Sequence, residues 1–116
     1  MNREIKFRGW NCQVEHMNQL VSGTLEDLVE EKYWKVMQFA NIKDKNGVEM
    51  YEGDIVKPAK SIHERNGIVE FYKGSFILKF GTEYYALGFY ENEKGEVIGN
   101  IYQNLELLES VNIFDK

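Results

Sequence analysis

Residues 67–90 read Gly67-Ile68-Val69-Glu70-Phe71-Tyr72-Lys73-Gly74-Ser75-Phe76-Ile77-Leu78-Lys79-Phe80-Gly81-Thr82-Glu83-Tyr84-Tyr85-Ala86-Leu87-Gly88-Phe89-Tyr90. Branched and aromatic residues fill three short runs, and such residues favour the pleated, half-buried surface of a strand. Lys73-Gly74 between the first two runs is a hairpin signal, because a two-residue loop needs positive φ angles. The reading is three successive strands: Gly67 to Tyr72, Ser75 to Phe80 and Glu83 to Tyr90. In the second, Phe76, Leu78 and Phe80 share one face and Lys79 points away. Eight of the sixteen aromatic residues lie between Phe71 and Tyr90, so the core is expected to centre there.

The pattern extends outward on both sides. Towards the C-terminus, residues 92–95 form a turn, Glu96 to Tyr102 a strand, and Asn104 a cap for a last short helix from Leu105 to Glu109. Towards the N-terminus, residues 61–66 are a polar loop. Ile55 to Lys57 is a strand that is an edge or ends at Pro58, the single proline, which cannot donate to a ladder. Tyr51-Glu52-Gly53-Asp54 and Asp44-Lys45-Asn46-Gly47 are tight turns whose Asn and Gly tolerate positive φ. Residues 33–40 read as a strand and Thr24 to Lys32 as a short helix, with Leu25, Leu28 and Val29 on one face. Asn11 to Gly23 is a loop that has room for one short strand. Arg3 to Trp10 is a half-buried strand with Ile5 and Phe7 on one face and Glu4, Lys6, Arg8 and Trp10 on the other.

Turns every eight to twelve residues, with no strand–helix–strand alternation, predict a mainly β fold. The expected architecture is a small, partly open barrel or packed antiparallel sheets, with one or two short helices. A chain of 116 residues fits one domain over 1–116 and can bury about two-thirds of its unfolded surface without cross-links. There is no linker, repeat or low-complexity tract.

The formal charge of −5 repels phosphate backbones and anionic membranes. A single cysteine, Cys12, permits no internal disulfide and points to a reducing compartment. No apolar run reaches membrane-spanning length, and the N-terminus lacks the pattern of a signal peptide. The expectation from these features is a cytoplasmic protein with no membrane partner.

Three blocks, taken in order, carry a resemblance. They are Arg3-Glu4-Ile5-Lys6-Phe7-Arg8-Gly9-Trp10; Val36-Met37-Gln38-Phe39 continuing through Lys43-Asp44-Lys45-Asn46-Gly47 to Tyr51-Glu52-Gly53-Asp54-Ile55-Val56; and Val97-Ile98-Gly99-Asn100-Ile101-Tyr102-Gln103-Asn104 ending in Leu107-Leu108. Together they resemble the YopX-like family of phage and prophage proteins. The chain departs from the family pattern at Gly9, where Ala is usual, and at Leu105, where Pro often opens the last helix. The resemblance implies a small β-rich protein encoded on phage or integrated-phage genomes. It implies no activity and no catalytic or binding residues.

The candidate chemistry is sparse. Cys12 and His16 have the spacing of half a metal site, but only His63 remains to join them, too few soft ligands for structural zinc. The same scarcity argues against a Cys–His nucleophile pair. Glu52 and Asp54 flank Gly53, where neighbouring carboxylates on a turn usually point apart. The expectation is that Gly53 supplies positive φ and Asp54 accepts a bond from a nearby amide. The glycines form no phosphate-cradling loop. Arg3, Lys6 and Arg8 beside Trp10 read as a solvated strand face, with a nucleic-acid strand as the alternative ligand and a protein interface as the third reading.

The expectation is therefore a non-enzymatic protein with no cofactor, metal or catalytic residue. It acts by binding a host or phage protein or by homo-oligomerising, and the alternative is a small nucleic-acid-binding β-barrel. Trp10, Trp34, Tyr84 and Tyr90 are the expected surface aromatics of its interface. Asn46, Gly47, Gly53 and Asp54 are the expected structural turn residues.

Overall fold

In the computed structural model, residues 4–13, 15–20, 34–59, 65–90 and 94–108 are described. The helix expected at Thr24 to Lys32 lies outside them, as do residues 61–64 of the expected loop and 92–93 of the expected turn.

Among the described residues nine strands form two antiparallel sheets. The first contains β1 (Phe7–Asn11), β2 (His16–Leu20), β3 (Trp34–Lys43) and β4 (Glu49–Tyr51), ordered β2-β1-β3-β4. The second contains β5 (Asp54–Pro58), β6 (Gly67–Tyr72), β7 (Ser75–Phe80), β8 (Glu83–Ala86) and β9 (Gly95–Asn100), ordered β8-β7-β6-β5-β9. One of the sheets curls into a half-barrel. The expected β class is the observed one.

β6 and β7 keep their expected bounds. Their loop has φ of 48° at Lys73 and 85° at Gly74, the two positive angles of a primed hairpin turn. β5 ends at Pro58, as read, but is interior to its sheet, between β6 and β9. The chain has room for the extra strand in residues 11–23, and β2 fills it.

The third run is not one strand. β8 stops at Ala86, and Leu87–Tyr90 form a 3-10 turn. That turn breaks the two-residue alternation, so Tyr84 and Tyr90 do not share a face. Tyr90 swings into the core at 1% exposure, while Tyr84 stays 51% exposed.

The larger core lies between the sheets. Val56, Val69, Leu78, Phe80, Leu87 and Tyr90 of the second sheet and its turn meet Ala40 and Met50 of the first. A smaller cluster holds Trp10, Met37, Phe39 and Tyr51, packed with Met17 and Tyr102. The β3–β4 hairpin therefore buries both faces, Phe39 and Tyr51 to one cluster, Ala40 and Met50 to the other. A positive φ of 62° at Asn41 marks the irregularity where the β3–β4 register shifts. The Asn41 amide also pins the segment before β1: its Oδ1 accepts from Glu4 N–H at 2.9 Å and its Nδ2 donates to Glu4 C=O at 2.8 Å.

The first strand inverts the expected faces. Ile5 is 71% exposed and precedes the strand, whereas Trp10 is 7% exposed. The inner face carries Lys6, Arg8 and Trp10. Lys6 Nζ sits 4.6 Å from the Phe39 ring centroid and the Arg8 guanidinium 4.7 Å from that of Tyr51. Trp10 stacks on Tyr102 at 6.1 Å and 15°. Lys and Arg bury long apolar stems against rings while pairing their charged heads, so a basic face can be an inner face.

Candidate functional site

The two turns named from sequence are joints between the sheets. At the first, Asp44 is 2% exposed. Its Oδ1 accepts from the N–H groups of Asn46 and Val48, each at 2.8 Å, and its Oδ2 from Val97 N–H of β9 at 2.8 Å. Gly47 has φ of 79°, and Asn46 does not have positive φ. Sequence reasoning named the Asn-Gly pair and missed that Asp44 is the anchor. Asp at the first position of an Asx turn was the available signal.

At the second joint Gly53 has φ of 85°. A Cβ there would meet Met37 Sδ at 3.2 Å, so both angle and space favour glycine. Gly53 N–H donates to Val69 C=O at 2.8 Å, and Ile101 N–H donates to Gly53 C=O at 2.9 Å. Asp54, 1% exposed, accepts from Tyr51 N–H at 2.7 Å through Oδ2 and from Arg8 Nη2 at 2.6 Å through Oδ1. Arg8 also donates to Glu52 C=O at 3.3 Å, and its Nε is buried with no partner among the described residues. Glu52 turns away from Asp54, and its Oε1 accepts from Gln38 N–H at 2.8 Å. Burial pushes the Asp54 carboxyl above its ordinary range, while Arg8 and the Tyr51 amide pull it back. The two carboxylates face different partners, so no shared-proton pair is set up.

The basic strand is neutralised locally. Lys6 pairs with Glu49 and lies 3.6 Å from Glu4, and Arg8 pairs with Asp54. Among the described residues no three His, Cys, Asp or Glu side chains converge as a metal site. Cys12 is exposed, and His16 Nδ1 is 3.0 Å from Asn18 Oδ1. No helix among the described residues is long and apolar enough to cross a membrane.

Of the four expected surface aromatics, the structure corrects two. Trp10 is buried because the inner face of β1 receives Tyr102. The Asn100 side chain positions that residue by accepting from Tyr102 N–H and Gln103 N–H, each at 3.0 Å. Tyr90 is buried by the 3-10 turn. Trp34 is half-buried at the start of β3, opposite Asn11, and lies in the other sheet from Tyr84. Asn104 does not use its side chain as a helix cap. Its Oδ1 accepts from Asn100 N–H at 3.1 Å, and its carbonyl accepts from Leu107 N–H at 2.9 Å, where residues 106–108 make one helical turn.

Tyr84 has other company. β8 ends the second sheet, and all four of its residues are exposed. Tyr84 meets Tyr72 edge-to-face at 5.2 Å, and Lys73 Nζ lies 5.3 Å from the Tyr72 ring centroid. Tyr85, on the other face, meets Phe80 at 6.1 Å but is 46% exposed, and Phe89 is 49% exposed. Neither Tyr85 nor Phe89 is among the interface aromatics expected from sequence. Their position beyond a sheet edge was not legible.

The same architecture occurs in solved structures. Protein EF1440 from Enterococcus faecalis superposes with a TM-score of 0.64 at 24% identity, covering 92% of this chain and 99% of that one. Protein yopX from Bacillus subtilis does so with a TM-score of 0.62 at 22% identity, covering 89% and 97%. At those identities the likeness is one of fold. No curated protein matches the sequence. The family model described as YopX protein matches residues 19–109, and this chain belongs to the YopX family.

Proposed function

We propose that this YopX-family chain is a non-enzymatic phage or prophage accessory protein that acts by binding protein, including a second copy of itself, in the cytoplasm of its host. The observation that carries this reading is β8, a terminal strand exposed on both faces with Tyr84 at 51% and Tyr85 at 46%. Sheet edges offer unpaired backbone groups, and exposed aromatic clusters supply contact area at low entropic cost. Tyr72, edge-to-face with Tyr84 and 40% exposed, extends the Tyr84 face. Protein binding is preferred over nucleic acid because Lys6 and Arg8 are each paired with a carboxylate and the whole chain is acidic.

Sedimentation velocity on the full chain tests the reading. A dimer or larger species at micromolar concentration is expected, and Tyr84→Ser with Tyr85→Ser should release a folded monomer. A wild-type monomer at high micromolar concentration would remove self-association. A species that survives the double substitution would remove this surface.

A further inference from the structure

A second surface lies away from β8, on the β5 side of β6. The β5–β6 ladder consists of Ile55↔Ile68 and Val56↔Gly67. Beyond it, Gly53 N–H takes the Val69 carbonyl, and the chain then turns away towards β4. Antiparallel ladders alternate inward and outward backbone groups. The N–H and C=O of Phe71 therefore point to the same side as the Val69 carbonyl, where β6 has no strand neighbour among the described residues.

The first sheet presents a matching edge. Gln38 directs its backbone towards β4: its carbonyl accepts from Glu52 N–H at 3.0 Å and its N–H donates to the Glu52 carboxylate. The same alternation aims the N–H and C=O of Val36 that way. The β3–β4 ladder begins only at Phe39↔Tyr51, so on that side Val36 has no strand neighbour among the described residues. A cavity of about 360 Å³ lies along these stretches of β3 and β6, next to Gly53.

The lining sets the chemistry of an occupant. Met37, Phe71, Ile101 and Tyr102 give it apolar and aromatic surface. Its charged groups among the described residues are two carboxylates, Glu52 and Glu70, and no Lys or Arg lines it. One Glu52 oxygen is engaged by Gln38. Carboxylates beside aromatic rings favour a cationic side chain, and unpaired strand edges favour an extended backbone.

We propose that this groove binds an extended, basic peptide segment of a partner protein. The segment pairs its backbone with Phe71 as an added strand on β6 and sets a Lys or Arg against Glu52 and Glu70. This surface is separate from the β8 edge and does not depend on self-association.

The test pans a random dodecapeptide display library on the full chain and titrates the selected peptides, made synthetically, by calorimetry. Peptides alternating apolar with Lys or Arg residues are expected. Their affinity should fall about tenfold or more with Glu70→Lys and weaken with added salt. N-methylating alternate peptide amides on unaltered protein should abolish binding in one phase and spare it in the other, a signature that does not depend on how any variant folds. Tyr84→Ser with Tyr85→Ser should leave binding unchanged, which separates this surface from the β8 edge. The proposal is overturned if no peptide is enriched, if acidic peptides are, or if both N-methyl phases bind equally. It is also overturned if Glu70→Lys dissociates an oligomer, because the occupant is then a second copy.

Discussion

The Tyr51–Asp54 turn and the β8 edge are both rich in aromatic contacts, yet one is a joint and the other a margin. At the turn every strong group is answered from another element: Asp54 by Arg8 of β1, Gly53 by Val69 of β6 and Ile101 after β9, and Glu52 by Gln38 of β3. At β8 the rings answer one another, Tyr84 to Tyr72 and Tyr85 to Phe80, and Tyr84 and Tyr85 still keep about half their surface. Residue type does not separate the regions. The number of chain segments that converge on each does.

The largest expected effect breaks the joint. Arg8→Met leaves the Asp54 carboxylate buried without a cation, which costs about 3–5 kcal/mol. With Arg8 gone, burial still raises the carboxyl and the largest opposing pull is lost. A group raised on folding gives its stability below the unfolded value, 3.8 here, and loses it as pH rises through the folded one. The deficit against wild type should therefore be full at neutral pH and shrink on acidification. Denaturant melts across pH measure it, and a deficit that grows in acid refutes the pairing. Adding Asp54→Asn should recover much of the loss, because the amide oxygen still accepts from Tyr51 N–H without a buried charge. Asp54→Asn alone costs more than an amide swap at a turn would suggest, because Arg8 shares that carboxylate.

Next is Tyr90→Ser, expected to cost about 3 kcal/mol by emptying a core position. It sharpens the comparison, since Tyr84 lies in the same short run. A thermal melt that treats both tyrosines alike would contradict the 3-10 turn.

Gly53→Val should cost about 1–3 kcal/mol through the left-handed backbone, with crowding against Met37 in addition. An unchanged melting temperature would mean that this turn serves something other than the joint. The smallest effect on stability belongs to the margin. Tyr84→Ser with Tyr85→Ser should shift unfolding by no more than about 1 kcal/mol, because no described strand covers them. A larger loss would show that β8 supports the fold rather than a partner.

What was legible followed local rules. The bounds of β6 and β7, the end of β5 at Pro58 and the Gly53 turn each depend on a few consecutive residues, through alternation, a missing N–H or a forced φ. What failed depended on distant segments. Lys6, Arg8 and Trp10 read as an outer face because charge normally marks solvent. Phe39, Tyr51 and Tyr102, more than thirty residues away, turned that face inward.

The sequence by itself determined the β class, the family blocks and where the chain must turn, because propensity, proline and glycine act within a few residues. Only the tertiary structure decided which aromatics are core. Tyr84 and Tyr90 are the same residue type in one short run, and a single 3-10 turn sends one to solvent and the other between the sheets. Burial belongs to the space between elements, and that space exists only once the two sheets have met at Arg8 and Asp54.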